Sequence, residues 1–157
     1  MNPIVVPVRA NATDELFIQA SPEAVQRRLL GLSEDASWWP GARAGGGYGW
    51  VTLDVPVGMR RGRIRLKASI PNSREWEGFT WTLEEGDLLG RAEWWLEAFK
   101  DGTIVHYFLD VERAPRARRR LPTVMKRHRW AIRRGLNALK DELEERPRSA
   151  TERRAAR

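Results

Sequence analysis

The sequence predicts one α+β domain: a curved antiparallel sheet of about six strands wrapped around a long C-terminal helix, with two short helices after the first strand. Three observations carry this reading. Residues 48–113 alternate apolar and polar with the period of a strand, and residues from about 122 to 145 switch to the period of a helix. Ahead of both, residues 21–39 hold closely spaced helix start and stop signals. At 157 residues the chain is the size of a single domain that can bury a core without disulfides or a structural metal.

Residues 1–11 read as an N-terminal extension able to continue the first strand, and DELFIQA, residues 14–20, as that strand. Ser21-Pro22-Glu23 then starts a helix: serine caps, proline suits the first helical position, and glutamate favours the positive end of the dipole. Val25, Leu29 and Leu32 recur at helical spacing until Gly31 and Ser33-Glu34-Asp35 break the pattern. A second short helix is expected at Ala36–Trp39, stopped by Pro40-Gly41. The glycine-rich GARAGGGYGW reads as a loop leading into the strand of residues 48–57.

The meander that follows has one dry and one wet face. Ile64, Leu66, Ala68 and Ile70 oppose Arg63, Arg65, Lys67 and Ser69, and Phe79, Trp81 and Leu83 alternate with threonines. Trp94, Leu96 and Ala98 face away from Glu93, Trp95 and Glu97, and Val105, Tyr107, Leu109 and Val111 close the series after a turn at Lys100-Asp101-Gly102. Beyond the arginine-rich RAPRARRRLP, the residues Leu121, Met125, His128, Ile132, Leu136, Leu139 and Leu143 form one apolar stripe that must lie on the dry face. Acids crowd the end of this helix, Asp141 to Glu145, where the dipole disfavours them. Residues 12–145 are therefore the domain, and 146–157 read as a disordered basic tail.

Composition excludes several chemistries. With no cysteine and two histidines, thiol catalysis, disulfides and the common zinc sites are ruled out. His106 and His128 fall on opposite faces, so no metal site is expected. No apolar run approaches a membrane span, and the N-terminus lacks a leader pattern, so the chain reads as cytoplasmic. The net charge of +7 is concentrated: residues 146–157 hold five arginines and one glutamate, more than half of it. Ten further cations lie between Arg113 and Arg134, a solvated face that could also dock to an anionic membrane. No nucleic-acid motif accompanies them, so no specific nucleic acid is expected. The glycine run is no phosphate loop, because neither a Lys-Ser/Thr pair nor a helix follows it.

A strand, two short helices ending in a Trp-Pro corner, five antiparallel strands and a long last helix is the order of a helix-grip fold. The segments DELFIQASPEAVQRRLLGL, SWWPG and GTIVHYFLDVE with the final amphipathic helix resemble the START-like, birch-pollen-allergen-like (SRPBCC) superfamily, in particular its polyketide cyclase/dehydrase and lipid-transport group. The resemblance implies a hydrophobic small-molecule ligand, lipid or polyketide-like, held between sheet and helix without metal or nucleotide cofactor, in a monomer or weak homodimer. The side chains expected to line that cavity are Trp81, Trp94, Leu96, Tyr107, Leu109, Met125, His128 and Ile132. Trp38, Trp39, Gly45, Gly46, Gly47 and Tyr48 are expected at its gate. Should the chain catalyse a reaction, the resemblance implies a cyclase/aromatase or dehydratase acting by substrate confinement, assisted by His128 and Tyr107. A third expectation is an interaction surface on the basic face around Trp130, which falls opposite the apolar stripe.

Overall fold

The computed structural model describes residues 3, 6–58 and 62–144; residues 146–157, read above as a tail, lie outside the described residues. Eleven elements follow in order: β1 (Arg9–Ile18), α1 (Pro22–Leu30), a 3₁₀ turn (Gly31–Ser33), β2 (Arg43–Gly47), β3 (Trp50–Pro56), β4 (Arg63–Ser69), β5 (Ser73–Arg74), β6 (Gly78–Gly86), β7 (Leu88–Phe99), β8 (Gly102–Arg113) and α2 (Leu121–Leu143). The strands form one antiparallel sheet in the order β1-β8-β7-β6-β4-β3-β2, with β5 beside β6. The sheet curves over α2, and no described helix is long and apolar enough to cross a membrane.

The start signal of α1 works as its residues require: Ser21 Oγ accepts from the backbone N–H of Ala24, and Pro22 opens the helix. The second short helix differs from expectation. It is the single 3₁₀ turn Gly31–Ser33, and Ala36–Trp39 is an isolated turn closed by Trp39 N–H donating to the Ala36 carbonyl. Too few residues separate Gly31 from Pro40 for a further helix to nucleate. The first strand is also longer than DELFIQA, because β1 pairs along almost all of β8, from Arg9 opposite Glu112 to Ile18 opposite Thr103.

Expected as a loop, Arg43–Gly47 is an edge strand paired with β3, turning at Tyr48 and Gly49. Its backbone alternates, but glycines bear no side chains to show a period of two in the sequence. Gly46 sits at φ +148°, where a Cβ would meet the Trp50 carbonyl and the Ser33 side chain. Only glycine lets the hairpin approach the 3₁₀ turn this closely.

The helix α2 buries Val124, Met125, His128, Ala131, Ile132, Leu136 and Leu139 against the dry face. The acids at its end have structural partners: Glu144 accepts from the backbone N–H of Gln19 and from Lys140, and Glu142 pairs with Arg28 of α1. They tie the end of the last helix to the first strand and first helix, which offsets their unfavourable place in the dipole.

A buried amide fastens α1 to the sheet. Gln26 accepts from the backbone N–H of Gly78 at 2.9 Å and donates to the Arg74 carbonyl at 2.9 Å. Gln26→Ala would leave the buried Gly78 N–H without its acceptor, while the Arg74 carbonyl keeps the Glu77 N–H, and is expected to cost about 1–3 kcal/mol in a urea melt.

Candidate functional site

The register of the sheet places Phe79, Trp94, Tyr107 and Asp14 in one row across β6, β7, β8 and β1, all pointing inward. The rings interlock: Trp94 lies 4.4 Å from Tyr107 and 5.2 Å from Trp81 by ring centroids. From α2, His128 stacks over Tyr107, and its Nε2 is 2.7 Å from the Tyr107 hydroxyl. Trp94 is 1% exposed and Tyr107 0%, and Trp81, Leu96, Leu109, Met125, His128 and Ile132 are buried with them. The structure thus brings the residues expected to line a cavity together, but as a packed core. The space left beside His128 is about 20 Å³, bounded by Ile64, Leu66, Leu83, Leu88 and Val124. A single water needs on the order of 10–15 Å³. A lipid-sized molecule finds no room in that space, beside the packed rings of Phe79, Trp81, Trp94 and Tyr107.

Burial decides the protonation of this pair. It pushes His128 down from 6.5 to about 4, against the opposing pull of the Asp14 charge. Burial, reinforced by Asp14, raises Tyr107 well above its ordinary value of 10. At neutral pH the two are therefore a neutral imidazole and a neutral phenol sharing one hydrogen bond.

Asp14 was not among the site residues expected from the sequence. It is 7% exposed and receives hydrogen bonds from Arg129 Nε (3.0 Å) and Nη2 (3.1 Å) and from Arg133 Nε (2.7 Å). Burial alone would raise its pKa; the hydrogen bonds and charges of the two arginines outweigh burial and lower it. The available signal was parity: Asp14 shares its face with Leu16 and Ile18, the inward side of β1. Asp14→Ala, which leaves two arginines without their carboxylate, is expected to cost about 2–3 kcal/mol, below the 3–5 typical of a fully buried pair because both guanidinium groups reach solvent. Thermal unfolding of this variant beside Asp14→Asn measures it.

The residues expected at a gate separate into two groups. Trp38 and Trp39 are buried, stacked on each other at 5.6 Å, and stand in the core rather than at an opening. Their Nε1 donors, like that of Trp94, have no hydrogen-bond partner among the described residues. Gly46, Gly47 and Tyr48 instead form one wall of a cleft of about 760 Å³. Its other walls are Leu29, Leu30, Ser33 and Glu34 at the end of α1 and the 3₁₀ turn, Trp50 and Val51 on β3, and Ile70–Ser73 after β4. Gly45 lies apart, in a hollow of about 480 Å³ among Thr52, Asp54, Arg65, Lys67 and Glu85. The cleft has the size of small-molecule sites in general, and its lining mixes the apolar Leu29, Leu30, Val51 and Ile70 with the polar Ser33, Glu34, Asn72 and Ser73.

The basic stretch also divides. Arg129 and Arg133 are spent on Asp14, and Arg127 donates to the Arg63 carbonyl. Trp130 is 47% exposed with the Lys126 ammonium 4.6 Å from its ring centre. His106 faces out, as its parity requires, between Glu15 and Glu97.

A scan against protein-family models and a search of curated proteins return no match. Solved structures do resemble the chain. A START superfamily protein from Mycobacterium smegmatis superimposes with a TM-score of 0.67 at 18% identity, covering 86% of this chain and 97% of that one. Ara h 8.0201 gives 0.66 at 11% identity over 88% and 100%. The Zhui aromatase/cyclase from Streptomyces gives 0.62 at 16% identity over 91% and 98%. These likenesses establish a helix-grip fold over nearly the whole domain. It is the fold of START-superfamily and aromatase/cyclase structures, as the resemblance of the sequence implied.

Proposed function

We propose that this protein is a binding module, which holds an apolar small molecule with a polar end in the cleft between the glycine hairpin, the 3₁₀ turn and residues 70–73. The observation that carries the reading is that cleft: about 760 Å³, lined by the apolar Leu29, Val51 and Ile70 and by the polar Ser33, Glu34, Asn72 and Ser73. Apolar lining supplies affinity by removing ligand surface from water, and the few polar groups orient it. The neighbouring solved structures support the reading at the level of fold, since they include a START superfamily protein.

Native mass spectrometry of the gently purified chain, with extraction of any retained organic molecule, tests it first. Affinity for anilinonaphthalene sulfonate tests the position: Ile70→Asp sets a carboxylate against the apolar part of the probe and the like charge of its sulfonate, and is expected to weaken binding at least about tenfold, or 1.4 kcal/mol. Equal affinity in this folded variant would place the ligand elsewhere.

A second reading, catalysis on a polyketide-like chain, is favoured by the Tyr107–His128 hydrogen bond beside the small interior space. A neutral imidazole at pH 7 is available to accept a proton, and a neutral phenol to donate one. Substrate would first have to part α2 from β4 and β6. Tyr107→Phe should then abolish turnover while ligand affinity at the cleft is unchanged.

A further inference from the structure

The face of the sheet turned away from α2 carries an aromatic patch that binding at the cleft does not use. Trp95 and Phe99 of β7 are 51% and 44% exposed. Phe17 of β1 meets Phe99 edge-on at 6.4 Å, and Trp95 stacks on His106 at 4.5 Å. Carboxylates surround these rings: Glu15 and Glu97 lie 3.0 Å from the two nitrogens of His106, and Asp101 stands at the β7–β8 turn. An exposed aromatic patch rimmed by acids calls for a cationic occupant, and the like charge of its rim opposes face-to-face pairing with a second copy.

Such an occupant is tethered beside it. The last turn of α2 is fastened next to the patch, with Glu144 accepting from Gln19 N–H at 3.0 Å and Gln19 donating to Asp101 at 2.6 Å. The chain that continues from there has five arginines and one glutamate in residues 146–157. At up to about 3.5 Å per residue its reach is on the order of 40 Å, more than the few strand residues from Asp101 to Trp95. The patch already attracts cations: the Lys100 and Lys140 ammonium groups lie 5.4 Å and 5.6 Å from the centres of Phe99 and Phe17.

We propose that residues 146–157 dock in cis on the outer face of β1, β8 and β7, with guanidinium groups over Trp95 and Phe99 and paired with Glu15 and Glu97. Arginine suits both contacts, because its planar group stacks on rings and forks onto carboxylates. A tether makes even a weak contact effective, since the local concentration of the segment is set by a short linker.

The chain has no cysteine, so Ala156→Cys provides a single nitroxide site on the full-length protein. At low ionic strength the backbone amide signals of residues 93–99 and 104–108 are expected to lose most of their intensity to the spin label, while those of β2, β3 and β4 keep theirs. The loss should disappear when the nitroxide is reduced, in roughly molar salt, where the screening length falls to about 3 Å, and in Glu15→Lys/Glu97→Lys. The salt arm stands without the double variant should that variant not fold. No loss, a uniform loss, or a loss insensitive to salt would overturn the proposal. So would the same loss when spin-labelled chains of natural isotope content are mixed with ¹⁵N chains lacking the label, which would make the occupant a second copy's segment.

Discussion

Trp39→Ala is expected to lower the unfolding free energy by about 3–5 kcal/mol, the range for truncating a large buried aromatic. Trp39 is among the largest fully buried side chains and stacks on Trp38. Its indole lies flat on Gly135 of α2, where a Cβ would overlap the ring. The glycine in the middle of a long helix is thus a seat for the ring, at a cost in helix propensity of about 1 kcal/mol relative to alanine. Gly135→Val should therefore destabilise by overpacking, toward the upper end of about 1–3 kcal/mol. In the Trp39→Ala background the same substitution should cost much less, because it fills space the indole has left. Urea melts of the two single variants and the double variant measure the coupling. Additive losses would mean that the indole and the helix are not held by this contact.

Acidification is expected to destabilise the fold in two stages. His128 is held at about 4 in the folded protein against 6.5 unfolded. The unfolded chain therefore takes up a proton that the folded chain refuses, and stability falls as the pH drops from 6.5 toward 4, with a limiting slope of about 1.4 kcal/mol per pH unit. Below that window both states are protonated and His128 contributes no further loss. Asp14 acts in the next stage. Its folded pKa lies below the ordinary 3.8, so its contribution is present above 3.8 and is lost as the pH falls through the lower folded value. In His128→Phe the slope between pH 6.5 and 4 should flatten, while the loss below pH 4 remains. A variant whose melting temperature still tracks pH through the upper window would assign the titration to another group.

Most of the architecture was legible because it is written in periodicity. The strands of residues 63–69, 78–86, 88–99 and 102–113 and the final helix follow apolar spacings that tolerate little ambiguity. What escaped lacks a side-chain signal or depends on distant partners. The glycines of β2 have no alternation to display, so a strand passed for a loop. Nothing near Asp14 in the sequence marks it as buried, since Arg129 and Arg133, which make its burial tolerable, are more than a hundred positions away. The aromatic side chains of the dry face were recognisable one by one, but not how tightly they fill the enclosed volume. Whether Trp81, Trp94 and Tyr107 frame a void or close it depends on rotamers and sheet curvature. The cleft was accessible in part: Gly46, Gly47 and Tyr48 marked one wall, whereas Ile70–Ser73 and the 3₁₀ turn meet that wall only in the folded chain.

The eight tryptophans allow the binding site to be located directly by following their indole N–H signals, with the backbone amides, in ¹⁵N-labelled protein titrated with lauric acid. Binding in the cleft predicts saturable shifts of the Trp50 indole and of the Gly46, Gly47, Ile70 and Ser73 amides, with Trp81 and Trp94 unmoved. Absence of saturable shifts, or shifts confined to Trp81 and Trp94 or to Trp95 and Trp130, would contradict it.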